Sequence, residues 1–100
     1  MIRYTVIISP DPESGSYTVI CPAMPGAVTE GETREAALDA MRSVMDAWIE
    51  LATEDGHGPL AETPELVARV VGETLEDRAE EGWDLALETT MLAPAAIVAA

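Results

Sequence analysis

The stretch from Gly15 to Ala37 constrains the fold of this chain more than any other part of its sequence. Residues 16–21 predict a short strand in which Tyr17, Val19 and Cys21 share one face. Pro22 ends that strand because proline has no N–H to donate to a neighbouring strand. Pro25-Gly26 then predicts a sharp corner. The spacing leaves room for a third strand directly after the corner.

The second half of this stretch predicts that third strand over residues 27–30 and then a long helix. Thr33 is a suitable N-cap, since its hydroxyl can accept a hydrogen bond from an unpaired N–H of the first turn. Glu32 and Glu35 lie near the positive end of the helix dipole, which favours acids. Gly56 predicts the end of the helix. Apolar residues recur at helical spacing between these limits: Ala37, Leu38, Met41, Val44, Met45, Trp48, Leu51 and Ala52.

The flanking segments add three more predicted elements. Residues 2–8 alternate with a period of two, which predicts a first strand with its even-numbered face buried, and residues 9–15 are rich in turn formers. Thr63-Pro64-Glu65 predicts the start of a second helix, with Gly82 at its end. Residues 85–92 predict a last strand that places Leu85, Leu87, Thr89 and Met91 on one face.

These elements predict the α+β class, with a small antiparallel sheet and a long helix on one face. The β-β-β-α core spans residues 1–56, and residues 57–100 add the second helix and a C-terminal strand. We expect the helices to cover one face of the sheet. A chain of 100 residues is large enough for one core and too small for two, so residues 1–100 are expected to form a single domain.

Charge is the most skewed property of the composition. Nineteen acids face five arginines and no lysine, which gives a net charge of −14. Nucleic-acid backbones require a positive footprint and would be repelled. Two interpretations remain open: the acids form a solvated surface, or they attract a basic protein partner. The chain shows neither a signal peptide nor a run of transmembrane length, so we expect a cytoplasmic protein.

Candidate catalytic residues are few, and each has a simpler structural explanation. His57 has no companion ligands and is expected to be an exposed loop histidine. Cys21 ends an apolar strand and is expected to be buried, and a lone cysteine excludes an internal disulfide. We therefore predict no catalytic residue, no metal site and no cofactor. The close carboxylate pairs all fall in loops or at helix ends: Asp11/Glu13, Glu30/Glu32, Glu54/Asp55 and Glu80/Glu81.

The motif in the first half of the chain resembles that of the HicB-like antitoxin family, whose domain is a partial ribonuclease-H-like fold. The matching residues are Tyr17, Val19, Pro22, Pro25, Gly26, Thr29, Gly31 and Thr33, and Glu35-Ala36 lies one residue early. The resemblance covers roughly residues 2–52. It implies a degenerate nuclease fold without nuclease activity, and the first strand indeed lacks the carboxylate that two-metal hydrolysis requires. Members of the family neutralise HicA-like toxins, which are small basic RNA-cleaving proteins with a catalytic histidine.

Many members also carry a C-terminal DNA-binding segment, and here this chain departs from the family. Residues 64–100 hold eight acids against two arginines, the wrong sign for DNA, so no DNA binding is expected. Two hypotheses follow: a non-catalytic antitoxin that binds and neutralises a basic HicA-like toxin, or an orphan homo-oligomeric binding or regulatory protein without a toxin. A homo-oligomer, a dimer or tetramer joined through the apolar residues 94–100, is expected. The predicted partner-binding residues are Asp11, Glu13, Glu30 and Glu32.

Overall fold

A four-stranded antiparallel sheet with strand order β3-β2-β1-β4 organises the structure. The computed structural model describes residues 3–56, 58 and 61–95. Its elements follow in chain order: β1 Tyr4–Pro10, β2 Tyr17–Ile20, β3 Val28–Gly31, α1 Arg34–Glu54, α2 Pro64–Glu80 and β4 Glu88–Leu92. This confirms the predicted α+β class, the β-β-β-α core, the second helix and the C-terminal strand.

The main core lies between α1 and one face of the sheet. Val6 and Ile8 of β1 and Val19 of β2 point into it and are fully buried. The helix contributes the apolar stripe that its periodicity predicted, with Met41 and Met45 at the centre. Because the chain has no phenylalanine, aliphatic and methionine side chains fill this layer.

The second helix covers the opposite face of the sheet, so the expectation that both helices share one face was wrong. Ile7 and Ser9 point away from the main core, yet both are buried, and the Arg78 side chain of α2 reaches Ser9. The predicted burial of the even-numbered face is confirmed for Val6 and Ile8, and the odd-numbered residues Ile7 and Ser9 are buried as well. The run Val6-Ile7-Ile8 carried the missed signal, since a strand buried on both faces is continuously apolar.

Glycines end both helices, as predicted. Gly56 and Gly82 have φ angles of +79° and +75°, a conformation that side-chain-bearing residues rarely adopt. The last strand begins at Glu88, three residues later than predicted, and Leu85 before it is 61% exposed. Of the residues named in the predictions, Ile2, His57 and 96–100 lie outside the described residues. Neither helix in the described ranges is long and apolar enough to cross a membrane.

Candidate partner-binding surface

The corner between β2 and β3 is held by backbone hydrogen bonds and by α1. The Cys21 N–H donates to the Ala27 carbonyl at 3.2 Å, and the Ala27 N–H donates to Met24 at 2.9 Å. Gly26 takes a φ of +87°, which accounts for glycine after Pro25. The Trp48 indole N–H donates to the Pro25 carbonyl at 3.2 Å and ties the corner to the helix. Pro22 is buried and Tyr17 packs against the core.

The remaining motif residues join β3 to the start of α1. The buried Thr29 hydroxyl donates to the Ala37 carbonyl at 3.0 Å. A side chain at Gly31 would place its Cβ 2.8 Å from the Ala37 Cα, closer than the helix permits. The Thr33 hydroxyl accepts from the Ala36 N–H at 3.0 Å and so caps the helix. The motif therefore builds the scaffold on which the surface residues are carried.

The four predicted partner-binding residues lie at one end of the sheet. Pro10 ends β1 opposite Tyr17, which begins β2, and Tyr17 in turn pairs with Gly31 at the end of β3. The β1–β2 hairpin loop with Asp11 and Glu13 therefore lies beside the end of β3, where Glu30 and Glu32 lie. Adjacent strands are about 4.8 Å apart, so Glu30 lies roughly 10 Å from β1.

Among these four, Asp11 also has a structural role that sequence reasoning missed. Its carboxylate accepts from the backbone N–H groups of Glu13 at 2.8 Å and Ser14 at 3.1 Å. These hydrogen bonds hold the pKa of Asp11 below its usual value, because they stabilise the ionised form. Asp11 therefore shapes the hairpin, whereas Glu13, Glu30 and Glu32 are exposed.

The C-terminal end of α2 brings a second group of acids to the same end of the sheet. Arg78 anchors it: its guanidinium donates to the Ser9 hydroxyl at 2.9 Å and to the Pro10 carbonyl at 2.5 Å. It also donates to the Asp84 carbonyl at 2.7 Å and the Asp84 carboxylate at 2.8 Å. The Trp83 ring lies 5.4 Å from the guanidinium, within cation–π distance. The fixed helix end carries exposed carboxylates: Asp77, Glu80, Glu81 and Asp84.

Sequence reasoning did not find Arg78. The apolar stripe of α2 was expected to face the sheet, yet within that helix Thr74 and Arg78 are the buried side chains, and Leu66 and Val70 are half-buried. Thr74 and Arg78 are four residues apart and so lie on one helix face. The lone arginine near the helix C-terminus was the available signal.

The arginines at this end of the sheet do not leave free positive charge. Arg34 pairs with Glu88 of β4 and with Glu35, and these partners raise the pKa of its guanidinium. The hydrogen bond from Arg34 also lowers the pKa of the Glu88 carboxyl. Arg78 is 2% exposed and pairs with Asp84. Within the described residues, the exposed charge at this end is therefore acidic.

An open groove runs along the α2 side of the sheet at this acidic end. Its volume is about 490 Å³. Ser9, Thr18 and Ile20 form the floor, and the last turns of α2 and Trp83 form the wall. On the neighbouring edge strand, Val28 pairs with Ile20 and is 53% exposed. The groove and the acids around it together form the candidate surface for a partner.

Cys21 is buried, and desolvation of the thiolate raises its pKa to about 11, so the thiol is protonated at neutral pH. Across residues 3–56, 58 and 61–95, no three metal-ligating side chains converge. Glu54/Asp55 and Glu80/Glu81 lie at the ends of the two helices, as predicted, whereas Glu30 lies within β3 and not in a loop.

Comparisons with known proteins agree with the motif and the fold. The UPF0150 protein Ta0767 of Thermoplasma acidophilum is 45% identical over 49 residues, which are 49% of this chain and 70% of that protein. No protein-family model matches the chain.

Two crystal structures of the Burkholderia pseudomallei antitoxin HicB have a similar fold. The N-terminal domain of HicB superposes with a TM-score of 0.62 at 21% identity, over 92% of this chain and 96% of that domain. The longer HicB structure gives 0.63 at 22% identity, and this chain spans 63% of its length. The chain therefore belongs to the UPF0150 family and has the fold of the HicB antitoxin N-terminal domain, which confirms the HicB-like resemblance of its motif.

Proposed function

We propose that this chain is a non-catalytic antitoxin-type protein that binds and neutralises a small basic HicA-like toxin. The observation that carries the proposal is the gathering of acids from the β1–β2 hairpin, β3 and α2 at one end of a HicB-type fold. Opposite charges accelerate association and favour the correct partner. An RNA-cleaving toxin needs a positively charged surface where it binds RNA, because its substrate is a polyanion.

The proposed mechanism is occlusion of the toxin rather than chemistry on it. The acidic end takes the place of RNA phosphates on the basic surface of the toxin and so blocks access to its catalytic histidine. Glu13, Glu30 and Glu32 are the proposed contact residues, with Asp11 holding the hairpin that presents Glu13. The buried, protonated Cys21 has no part in this mechanism. Binding takes place in the cytoplasm, and the acidic second half takes no part in binding DNA.

The experiment is affinity purification of the tagged chain from its native cell, with mass spectrometry of the captured proteins. We expect a small basic protein whose RNA cleavage stops when the purified chain is added in equal amount. Serine at Glu13, Glu30 and Glu32 should weaken the complex, while serine at the α1 acids Glu50 and Glu54 should not. Asp11 stays unchanged, because its loss would disturb the hairpin. Capture of the chain alone, or of proteins that do not cleave RNA, would contradict the proposal.

The second candidate function is that of an orphan homo-oligomeric binding protein. A groove between α2 and Thr5 of β1 favours it, because Val67 and Val71 are only half-buried there. Met91 of β4, which pairs with Thr5, is 49% exposed. Apolar surface of this kind is often covered by another subunit. Light scattering that shows a dimer or tetramer, in a cell that yields no toxin, would favour this function. Deletion of residues 94–100 tests whether the tail joins the subunits.

A further inference from the structure

The second face of the sheet is unevenly covered. The α2 helix packs over β1, where Ile7 and Ser9 are buried. Beyond it, Thr18 and Ile20 of β2 are half-buried, and Val28 of β3 is exposed over half of its surface. The register aligns Ile20 with Val28, so the two form one continuous apolar patch. This half of the sheet face has no covering element among the described residues.

Acids border this apolar patch on two sides. Glu30 pairs with Thr18 across β3 and β2 and shares their face, and Asp77 and Glu81 line the opposite wall. All three are exposed. The one arginine in the wall, Arg78, is buried and engaged by Asp84 and Ser9. The patch is therefore an apolar floor between two acidic walls.

The charge of the walls decides which occupant fits. A second copy of the chain paired through this same face would bring its own Glu30, Asp77 and Glu81 carboxylates against these acids, so like charges would oppose pairing at this face. A nucleic acid would be repelled in the same way. A basic amphipathic protein segment fits both the apolar floor and the acidic walls. Its apolar side chains would cover Ile20 and Val28, and its flanking arginine or lysine side chains would reach the acids.

We infer that the open half of this sheet face, centred on Ile20 and Val28, is the docking site for a cationic amphipathic segment of the partner. The inference rests on the proposed function for the identity of that partner. It extends the contact surface beyond Glu13, Glu30 and Glu32, because it assigns the apolar centre of the interface to the sheet. Buried apolar contacts at the centre with charges at the rim are the usual arrangement of a specific interface.

The test uses the full chain and a defined probe, a synthetic peptide of alternating leucine and arginine. Val28→Arg places a cation and a bulky side chain in the patch, and Leu51→Arg makes the same charge change at a 63% exposed residue of α1. By titration calorimetry, we expect Val28→Arg to weaken peptide binding at least tenfold and Leu51→Arg to weaken it less than twofold. Amide chemical-shift changes should centre on Thr18, Ile20 and Val28. Equal effects of the two variants, or shift changes spread over all the acids, would overturn the inference.

A second pair of variants tests the acidic walls. Replacing Asp77 and Glu81 by their amides should weaken peptide binding about tenfold, and amides at Glu50 and Glu54 of α1 should change it less than twofold. Circular dichroism is the check that every variant is folded. We expect all of them to fold, because these positions are exposed. Equal losses from the two amide pairs would contradict the inference.

The same variants separate this inference from the proposed function. If a toxin is captured and Val28→Arg inhibits it as well as the unchanged chain does, the docking site is wrong and the antitoxin function stands. If no toxin is captured, the proposed function fails, and the peptide titration still decides the docking site.

Discussion

Replacing Arg78 by alanine tests the structural basis of the acidic end. The guanidinium is 2% exposed and supplies hydrogen bonds to Ser9, Pro10 and Asp84. Its loss leaves the Ser9 hydroxyl and the Pro10 carbonyl without this donor inside the structure. It also removes the contact with the Trp83 ring.

The expected cost follows from these contacts. Hydrogen bonds from a charged donor contribute at least about 1.5 kcal/mol each, so the Ser9 and Pro10 bonds together account for about 3 kcal/mol. The cation–π contact adds about 1 kcal/mol. Arg78→Ala should therefore lower the free energy of unfolding by about 4 kcal/mol. Asp84 is 75% exposed, so Asp84→Asn should cost less than about 1 kcal/mol.

The assay is urea unfolding followed by circular dichroism and by tryptophan fluorescence. Arg78→Lys keeps the positive charge but not the geometry, and it should lose about half as much free energy as Arg78→Ala. Arg69→Ala is the matched control, because Arg69 on the same helix is 68% exposed and 3.6 Å from Glu73. We expect it to change stability by less than about 0.5 kcal/mol. Equal losses in Arg78→Ala and Arg69→Ala would show that the buried contacts of Arg78 do not stabilise the fold.

Three further predictions concern the scaffold. Gly31→Ala should destabilise the fold by about 2 kcal/mol, since its Cβ would meet Ala37, whereas Gly72→Ala should stabilise it by about 1 kcal/mol because that position is open and helical. Thr33→Ala should cost about 1 kcal/mol through loss of the N-cap. Burial raises the pKa of the Cys21 thiol from 9.0 to about 11, so the folded chain keeps a proton that the unfolded chain releases. The stability that the protonated Cys21 thiol contributes is complete below pH 9. The free energy of unfolding should fall by about 2 kcal/mol as the pH rises through 11, and Cys21→Ala should abolish this loss.

Urea unfolding checks all three predictions, with the Cys21 series repeated from pH 8 to 11. Stabilisation by Gly31→Ala would contradict the close approach of β3 to α1. An unchanged stability in Thr33→Ala would rule out a contribution from the cap. The same alkaline loss in the chain with and without Cys21 would show that other groups cause it.

The fold was largely predictable because its signals are local. A cap hydroxyl at Thr33, a proline after Thr63 and a glycine after each helix act within one turn of the chain, so the sequence displays them directly. The opposite placement of α2 was not predictable from periodicity alone, because which face a helix covers depends on distant contacts. Arg78 shows this most clearly: it lies 68 residues from Pro10 in the sequence, yet its side chain holds the two segments together.

The acidic loops of the candidate surface were predictable because they, too, are local features of the sequence. Asp11, Glu13, Glu30 and Glu32 are predictable as acids that flank the sheet edge, and the antiparallel register places the strand ends that carry them side by side. The apolar centre at Ile20 and Val28 was missed, because its exposure depends on how far α2 extends across the sheet. The acids of α2 were missed as part of the surface because sequence alone does not bring that helix to the hairpin.

A titration of the captured basic partner's RNA cleavage with the purified chain tests the antitoxin function most directly. We expect cleavage to fall to zero as the two proteins reach equal amounts. We also expect Val28→Arg to shift the curve to at least tenfold higher concentration and Leu51→Arg to leave it in place. RNA cleavage that continues undiminished at a large excess of the chain would contradict the claim that this protein is an antitoxin.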